Sequence, residues 1–327
     1  MISIADLTQN PLRLSYSTLN LLTGCDRKLQ LVKLLESNEA DKEAPQFSFG
    51  HAFGDGVVEY LLTGDMDRAL FTAWRAYEPD IEDFRRNVWF AINAVEQAKS
   101  TLDELRSEWE VAVFDGKPAA ELSFKLIINE WCYFVGYIDA VLRHKRDGHL
   151  AVFECKHSTS NLNDLTPMYK NSGQALGYSI VLDRIAEQTL GKYSLFYFVG
   201  QLKKPHTPEY HKYEWKKTLL DRLNWFLTLG LDVERLQRNI EIGVFPMRGN
   251  HCLSFNRVCD FFGTCNLHSF DKPKVRSPDL IQYQFVYHLD ELVKQHLEAV
   301  SAQIQRGEAT EVEVQQVEVS EEMKELV

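Results

Sequence analysis

An Asp-Gly pair between two apolar runs is the feature that most constrains the fold of this chain. The pair is Asp147-Gly148, and the runs on both sides are rich in Val, Ile, Tyr and Phe. Such a pair between such runs predicts a β-hairpin, so both runs should be adjacent strands. Because side chains alternate along a strand, Glu154 and Lys156 should share one face of the second strand. Asp139 lies toward the end of the first strand, close enough for its carboxylate to meet Glu154.

Two carboxylates and a lysine at the edge of an apolar sheet need compensation for the water they lose. A divalent cation compensates well, since Mg²⁺ prefers oxygen ligands and commonly takes one or two protein carboxylates together with phosphate oxygens. Lys156 would then neutralise phosphate charge or hold the attacking water. The pattern alone equally fits a solvated hairpin whose acidic and basic residues pair on the surface.

The spacing of these charged residues resembles a known active-site signature. Asp139 followed by Glu154-x-Lys156 resembles the signature of the PD-(D/E)xK nuclease superfamily. A Gln-x-x-x-Tyr motif formed by Gln174 and Tyr178 is similar to that of the RecB-like branch, which includes CRISPR adaptation nucleases and phage exonucleases. Residues four apart share a helical face, so these two side chains should meet.

The resemblance implies an α/β fold with a restriction-endonuclease-like central mixed sheet flanked by helices, a helical insertion and a metal-clasped C-terminal region. It implies a Mg²⁺- or Mn²⁺-dependent DNA nuclease, with exonuclease action expected in recombination, repair or processing. Asp139 and Glu154 would be metal ligands, with the Cys155 main-chain carbonyl as a further ligand, and Lys156 would orient or deprotonate the attacking water. The residues made catalytic by the resemblance are Asp139, Glu154, Lys156, Gln174 and Tyr178. The last two would position the DNA backbone or the lysine.

Two further residues have counterparts near the metal of related nucleases. Glu121, on the strand before the hairpin, matches an upstream glutamate that many relatives carry, and it fits a solvent-facing strand residue equally well. Many RecB-like nucleases place a metal-assisting histidine four residues after the glycine that starts a helix, and here that position is Gly54. His51 lies three residues earlier, so it is either a metal ligand or a helix-start histidine without chemistry.

The six cysteines divide into two groups. Cys132 and Cys155 sit inside apolar strands, where small buried thiols are expected. Three others occur within fourteen residues, separated by seven and six positions, and these are Cys252, Cys259 and Cys265. We expect an intracellular protein, in which disulfides do not ordinarily persist, so this group indicates metal ligation. Zinc sites usually begin with cysteines two to four apart, whereas the spacing in iron–sulfur proteins varies by family.

A distant cysteine completes a set of four. Cys25 follows Ser15–Leu19, a segment that resembles the opening helix of the RecB-like branch. One early cysteine and three late ones resemble the 4Fe-4S clasp of iron–sulfur RecB-like nucleases. The resemblance favours a structural 4Fe-4S cluster over zinc, with unligated thiols as the remaining possibility. Under either metal, the clasp would close a long loop and reduce the entropy of the unfolded chain.

Composition bounds the class of protein and its partners. A chain of 327 residues with 45% hydrophobic residues can bury a substantial core in one or two domains. No apolar run approaches membrane-spanning length and the first residues lack a signal-peptide pattern, which predicts a soluble cytoplasmic protein. The net charge of −11 argues against coating nucleic acid by bulk attraction but allows a local basic cleft. The densest basic region, which fits phosphate contacts or a solvated loop, contains Lys203, Lys204, Lys212, Lys216 and Lys217.

The periodicity of apolar residues sets the organisation of the chain. Predicted helices cover residues 15–35, 49–62, 67–77, 82–109, 170–189, 216–242 and 280–306, and predicted strands cover 111–114, 119–128, 131–142, 149–155, 192–201 and 210–215. The predicted divisions are an N-terminal helical region (1–110), a nuclease core (111–245), a cysteine cluster (246–270), and a final helix with an acidic tail (271–327).

Three classes of function fit these features. The first is the DNA nuclease, for which a single-strand annealing or recombination protein would be a partner. The second is a non-catalytic DNA-binding or assembly subunit that keeps the nuclease fold, which the missing histidine and the acidic composition favour. The third is a zinc-clasped binding module unrelated to nucleases. The intact set of Asp139, Glu154 and Lys156 favours the first class.

Overall fold

A computed structural model describes residues 3–36, 45–77, 84–159, 162–202, 208–254, 257–267 and 272–306. The helices are α1 (Ile4–Gln9), α2 (Tyr16–Gly24), α3 (Asp26–Leu29), α4 (Pro45–Thr63), α5 (Met66–Ala76), α6 (Phe84–Gln97), α7 (Lys99–Glu108), α8 (Leu162–Lys170), α9 (Gly173–Tyr178), α10 (Ile180–Ala186), α11 (Leu219–Ile242) and α12 (Leu289–Gln305). A π-helix covers Gln30–Leu34, and a 3-10 helix covers Gly249–His251. In the described part of the chain, no helix is long and apolar enough to cross a membrane.

The strands form a mixed sheet and two small ribbons. Their bounds are β1 (Leu12–Leu14), β2 (Trp109–Val111), β3 (Val113–Phe114), β4 (Lys117–Pro118), β5 (Ala120–Asn129), β6 (Cys132–His144), β7 (Leu150–Ser158), β8 (Lys192–Gln201), β9 (Glu209–Thr218), β10 (Leu253–Ser254), β11 (Arg257–Val258) and β12 (Phe285–His288). The order in the large sheet is β12-β5-β6-β7-β8-β9, with β1 and β2 also paired to β6. The predicted α/β class with a central mixed sheet is confirmed.

The chain separates into two compact units. The terminal unit comprises Met1–Asp41, Phe124–Gly136 and Leu223–Val327, and the central unit comprises Lys42–Ser123 and Tyr137–Arg222. In the terminal unit, β1 runs parallel to the start of β6, and β12 runs parallel to β5. In the central unit, β7 is antiparallel to β6 and parallel to β8, and β9 is antiparallel to β8.

Helices cover the sheet of the central unit on both faces. On one face, Phe153, Phe196 and Phe198 join a buried apolar cluster with residues of α4 to α7. On the other face, the Tyr169 ring of α8 stacks on Tyr197 of β8 at a centroid distance of 5.1 Å. Because both faces are covered, nearly all of β8 is buried, as in strands at the centre of α/β proteins.

The predicted hairpin is confirmed. Gly148 adopts a φ of +72°, a left-handed conformation that glycine reaches without strain, and its N–H donates to the His144 carbonyl at 2.9 Å. The turn fixes the register of β6 and β7, so that Ala140 lies opposite Phe153 and Arg143 opposite Leu150.

Several predicted helices are divided or shifted in the structure. The single helix predicted for residues 15–35 is wrong, because Cys25 has extended backbone angles of −154° and 108° between α2 and α3. The helix predicted for 170–189 is also wrong, since α9 and α10 replace it and α8 precedes them. The helix predicted from residue 280 begins at Leu289, after the unpredicted strand β12. Lys203, Lys204 and the acidic tail after residue 306 lie outside the described residues.

Candidate active site

The hairpin brings the first acidic residue to the second strand. Asp139 Oδ2 accepts a hydrogen bond from the Cys155 main-chain N–H at 2.7 Å. Cys155 lies between Glu154 and Lys156, so the carboxylate of β6 reaches the part of β7 that carries the other two predicted residues. Asp139, Glu154 and Lys156 therefore lie together, as the sequence predicts.

An ion pair joins the two candidate site residues of β7. Lys156 Nζ donates to Glu154 Oε2 at 2.7 Å. The Glu154 side chain is only 1% exposed, whereas the Lys156 side chain keeps 30% of its surface exposed. Among the described residues, Glu154 Oε1 accepts no hydrogen bond although it is buried. A buried carboxylate oxygen without a donor is costly, so this atom is suited to bind a cation.

Burial and the neighbouring charges shift the pKa values of Asp139, Glu154 and Lys156. Burial, reinforced by Asp139 and opposed by Lys156, raises the pKa of Glu154 to about 7. Burial also raises the pKa of Asp139, although Lys156 and the Cys155 N–H oppose it. Burial disfavours the charged form of Lys156, but the two carboxylates outweigh it and raise the lysine pKa. Lys156 is therefore a stable cation, while the acidic groups hold protons more tightly than ordinary carboxyl groups.

The residues present fit a divalent cation of the Mg²⁺ class. Two carboxylates and the Cys155 carbonyl offer only oxygen donors, and Mg²⁺ commonly completes such a set with water and phosphate oxygens. Within the described ranges, no group of three or more His, Cys, Asp and Glu side chains is arranged to hold a metal ion. A site built on Asp139 and Glu154 does not require a third side chain.

Helix α4 supplies an acidic residue that the sequence analysis missed. A Cβ at Gly54 would lie 4.0 Å from Cys155 Cβ, so α4 passes close to β7 beside the candidate site. The next residue, Asp55, is half-buried. Its pKa is raised to about 6 by burial and by the charges of Glu121 and Asp139. The spacing of Asp55 four residues after His51 places both on one helical face and was the signal available in the sequence.

The two residues predicted with the least support lie near this acidic group. His51 is exposed, and its charge acts on both Asp55 and Asp139. Glu121 is exposed at the start of β5 with a φ of +49°. A non-glycine residue in this left-handed conformation stores strain, and such strain is often found at functional sites.

The strain at Glu121 leads to a prediction about stability and metal binding. Glu121→Gly should raise the free energy of unfolding by about 1 kcal/mol, because glycine adopts this φ without steric cost. The same variant should bind Mn²⁺ more weakly if the carboxylate contributes to the cation site. Glu121→Gln is the matched control, since it loses the charge but keeps the strain. Urea denaturation and calorimetric titration with Mn²⁺ measure the two effects, and equal stability of both variants would contradict the strain argument.

The predicted Gln-x-x-x-Tyr contact is present on α9. Gln174 Nε2 donates to the Tyr178 hydroxyl oxygen at 3.3 Å. Burial raises the pKa of Tyr178, and the nearby charge of Glu154 raises it further. Tyr178 is thus a neutral hydroxyl beside the buried carboxylate.

The first predicted cysteine ligand lies beside the C-terminal cysteine segment. Cys25 Sγ is 4.0 Å from the Pro246 carbonyl oxygen, which also accepts the Arg27 N–H at 3.2 Å. The Arg27 guanidinium donates to the Cys265 carbonyl at 2.7 Å. Cys265 Sγ is in turn 3.7 Å from Met247 Sδ. These contacts bring the two ends of the terminal unit together around the thiols.

A main-chain hydrogen bond joins Cys252 and Cys259, the other two candidate ligands. The Cys259 N–H donates to the Cys252 carbonyl at 2.8 Å, and Cys259 and Cys265 pack beside Leu31 and Phe261. All six cysteines are free thiols. Cys132 is fully buried as predicted, whereas Cys155, also predicted to be a buried thiol, is only partly buried. Among the described residues, the four candidate ligands lie in one region but do not form a metal-binding group.

Comparison with known proteins identifies the family of this chain. A model of the PD-(D/E)XK nuclease superfamily matches residues 13–266, a range that includes all the candidate catalytic residues and metal ligands. A crystal structure of a "Putative exonuclease" from Eubacterium rectale is similar with 13% sequence identity and a TM-score of 0.43, covering 83% of this chain and 93% of that one. No curated protein matches significantly. Since the family model spans well over half of the sequence, the chain belongs to the PD-(D/E)XK nuclease superfamily.

Proposed function

We propose that the protein is a Mg²⁺- or Mn²⁺-dependent DNA nuclease of the RecB-like branch that hydrolyses phosphodiester bonds as an exonuclease. The observation that carries the proposal is the buried Glu154 Oε1, which has no hydrogen-bond partner among the described residues, beside Asp139 and the partly exposed Lys156. Superfamily membership supports the hydrolytic chemistry. A single-strand annealing or recombination protein is the proposed partner.

Each residue has a role in this proposal. Asp139, Glu154 and the Cys155 carbonyl would hold the cation, with Asp55 as a nearby carboxylate. When bound, the cation lowers the pKa of water and stabilises negative charge on the phosphoryl group. Lys156 remains protonated beside Glu154, so it would position the water and neutralise phosphate charge rather than act as a base. Tyr178, oriented by Gln174, would donate its hydroxyl proton toward the backbone of the substrate.

A time course on end-labelled linear and covalently closed circular DNA tests the proposal. The expected result is loss of label from linear DNA with Mg²⁺ or Mn²⁺, no loss with chelator, and survival of the circle. Cleavage of the circle would replace the exonuclease assignment with endonuclease action. If no metal supports cleavage of either substrate, the nuclease proposal is wrong and the non-catalytic subunit takes its place.

Metal affinity should increase with pH. The carboxyl groups of Glu154 and Asp55, with pKa values of about 7 and about 6, must lose their protons before they bind a cation. Mn²⁺ should therefore bind more tightly at pH 8 than at pH 5.5 and release protons near pH 6. Calorimetry in two buffers of different ionisation enthalpy measures the released protons, and Glu154→Gln should release fewer.

The free energy of unfolding of the metal-free protein should decrease as the pH rises, whereas the metal affinity increases. The folded chain holds the Glu154 proton more tightly than the unfolded chain, in which an ordinary glutamate has a pKa near 4.5. Its contribution to stability is therefore present below pH 4.5 and is lost as the pH rises to about 7. Saturating Mn²⁺ should stabilise the protein increasingly over the same range.

We also propose that Cys25, Cys252, Cys259 and Cys265 hold a structural 4Fe-4S cluster, with zinc as the alternative. The support is the chemistry of four free thiols in one region and the contacts that draw Cys25 to the C-terminal segment. Anaerobic purification followed by absorption spectroscopy and metal analysis tests it. We expect brown protein that contains four iron atoms per chain. Colourless protein that contains zinc would favour the zinc alternative. Absence of both metals would exclude a metal site at these cysteines.

A further inference from the structure

We propose that a column of aromatic side chains in the central unit binds the bases of single-stranded DNA and guides the strand toward Lys156. The aromatic column consists of Tyr169, Tyr197, Trp215, Tyr213 and His211. The inference rests on the proposed nuclease function and specifies the form of its substrate.

The rings of the aromatic column form a continuous series. Tyr169 stacks on Tyr197 with centroids 5.1 Å apart, and Tyr197 meets Trp215 edge to face at 5.8 Å. Trp215 and Tyr213 are parallel within 4° at 5.4 Å, and Tyr213 and His211 within 7° at 6.0 Å. These centroid distances exceed the separation of about 3.5–4.0 Å at which carbon atoms are in van der Waals contact, so neighbouring rings do not cover each other completely.

Strand register places the aromatic column on the face that carries the candidate active site. Glu154 lies opposite Tyr197, and Tyr197 lies opposite Tyr213. Lys156 and His211 both lie opposite the same residue of β8, on either side of that strand. Paired residues on neighbouring strands project to the same face, and two strand spacings amount to about 10 Å. The outer rings are therefore within a few nucleotides of the lysine.

The rings of the aromatic column become more exposed with distance from Lys156, as a path for an incoming strand requires. Tyr169 and Tyr197 are buried nearest the lysine, whose charge acts on both of their hydroxyl groups. Trp215, Tyr213 and His211 are half-buried on β9, the last strand in the order of the large sheet. The partly covered rings thus lead from the end of the sheet to the candidate active site.

Unpaired DNA bases are the ligand that this surface fits. Aromatic side chains bind bases of any sequence by stacking, and only unpaired bases offer their faces, because those of a duplex are already stacked. With a net charge of −11, the chain cannot rely on general attraction for phosphates. Binding through stacking should consequently depend less on salt than binding through phosphate contacts.

Fluorescence anisotropy with the full chain in chelator tests the inference without hydrolysis. The probes are labelled dT20, an abasic strand of the same length and charge, and a 20-base-pair duplex. We expect dT20 to bind at least about tenfold more tightly than the abasic strand. Tyr213→Leu should remove most of this difference, and Tyr213→Phe should keep it. Equal affinity of dT20 and the abasic strand, or unchanged dT20 binding by Tyr213→Leu, would overturn the inference.

Controls separate this inference from the proposed function and from misfolding. Trp74→Leu alters another exposed stacked pair, Phe71 and Trp74, and should leave dT20 binding unchanged. His211→Ala provides a second test at the outer, half-buried end of the aromatic column if Tyr213→Leu does not fold. Hydrolysis of bis(p-nitrophenyl) phosphate reports on the metal site alone, so wild-type activity on this diester combined with no preference for bases would refute only the aromatic column.

Discussion

Replacing Lys156 with methionine is expected to reduce DNA hydrolysis at least about 100-fold, the usual lower range for loss of a group that positions or transfers a proton. Methionine keeps the aliphatic length but removes the charge that pairs with Glu154 at 2.7 Å. Asp139→Asn should cause a loss of similar size, since the amide is a poor cation ligand. Initial rates on a labelled single strand with saturating Mn²⁺ measure both effects.

The matched control is Lys117→Met, which makes the same change at an exposed position of β4. It should cleave at the rate of the unaltered protein. Circular dichroism before and after heating establishes whether each variant is folded. A folded Lys156→Met protein that cleaves at the control rate would remove the lysine from the mechanism.

Asp183→Ala is expected to lower the free energy of unfolding by about 3–5 kcal/mol, the cost of leaving a buried charge without its partner. Arg222 is fully buried and donates to Asp183 at 2.7 Å and to the Ser179 hydroxyl at 2.9 Å. Ser179 joins α9 to α10 directly after Tyr178, so loss of the ion pair should also disturb the Gln174–Tyr178 pair. Urea denaturation measures the change in stability.

An exposed ion pair provides the comparison. Glu104→Ala removes the partner of Lys212 at 2.9 Å, but the glutamate side chain is 66% exposed. Exposed pairs contribute at most about 1 kcal/mol, so this variant should unfold close to the unaltered protein. Similar losses from Asp183→Ala and Glu104→Ala would show that burial does not set the strength of the first pair.

Local sequence chemistry accounts for the parts of the fold that could be predicted. The Asp147-Gly148 turn determines the hairpin, because its geometry depends on one glycine at positive φ. The strand predicted at 192–201 has the observed bounds, since its apolar run is continuous and bounded by polar residues. The meeting of Asp139 with β7 follows from the same register.

Long-range contacts account for what the sequence did not reveal. Strand β12 has four residues and pairs with β5, which lies far from it in the chain, and α12 follows it directly. From the sequence alone, such a short strand cannot be distinguished from the start of the helix that follows it. The break at Cys25 has a similar origin, because buried Asp26 accepts from Asn239 at 3.0 Å and from Arg248 at 3.1 Å. These contacts override helix propensity.

Strand β7 lies between two hydrogen-bonded neighbours, and this position determines when the candidate site loses its structure on heating. The strand is registered with β8 over eight residue pairs and with β6 over four. Amide protons there should exchange with solvent deuterium only when the whole sheet opens, unlike those of fraying segments. Strand β7 should consequently retain its order until global melting, so that irreversible heat inactivation and loss of the fold coincide.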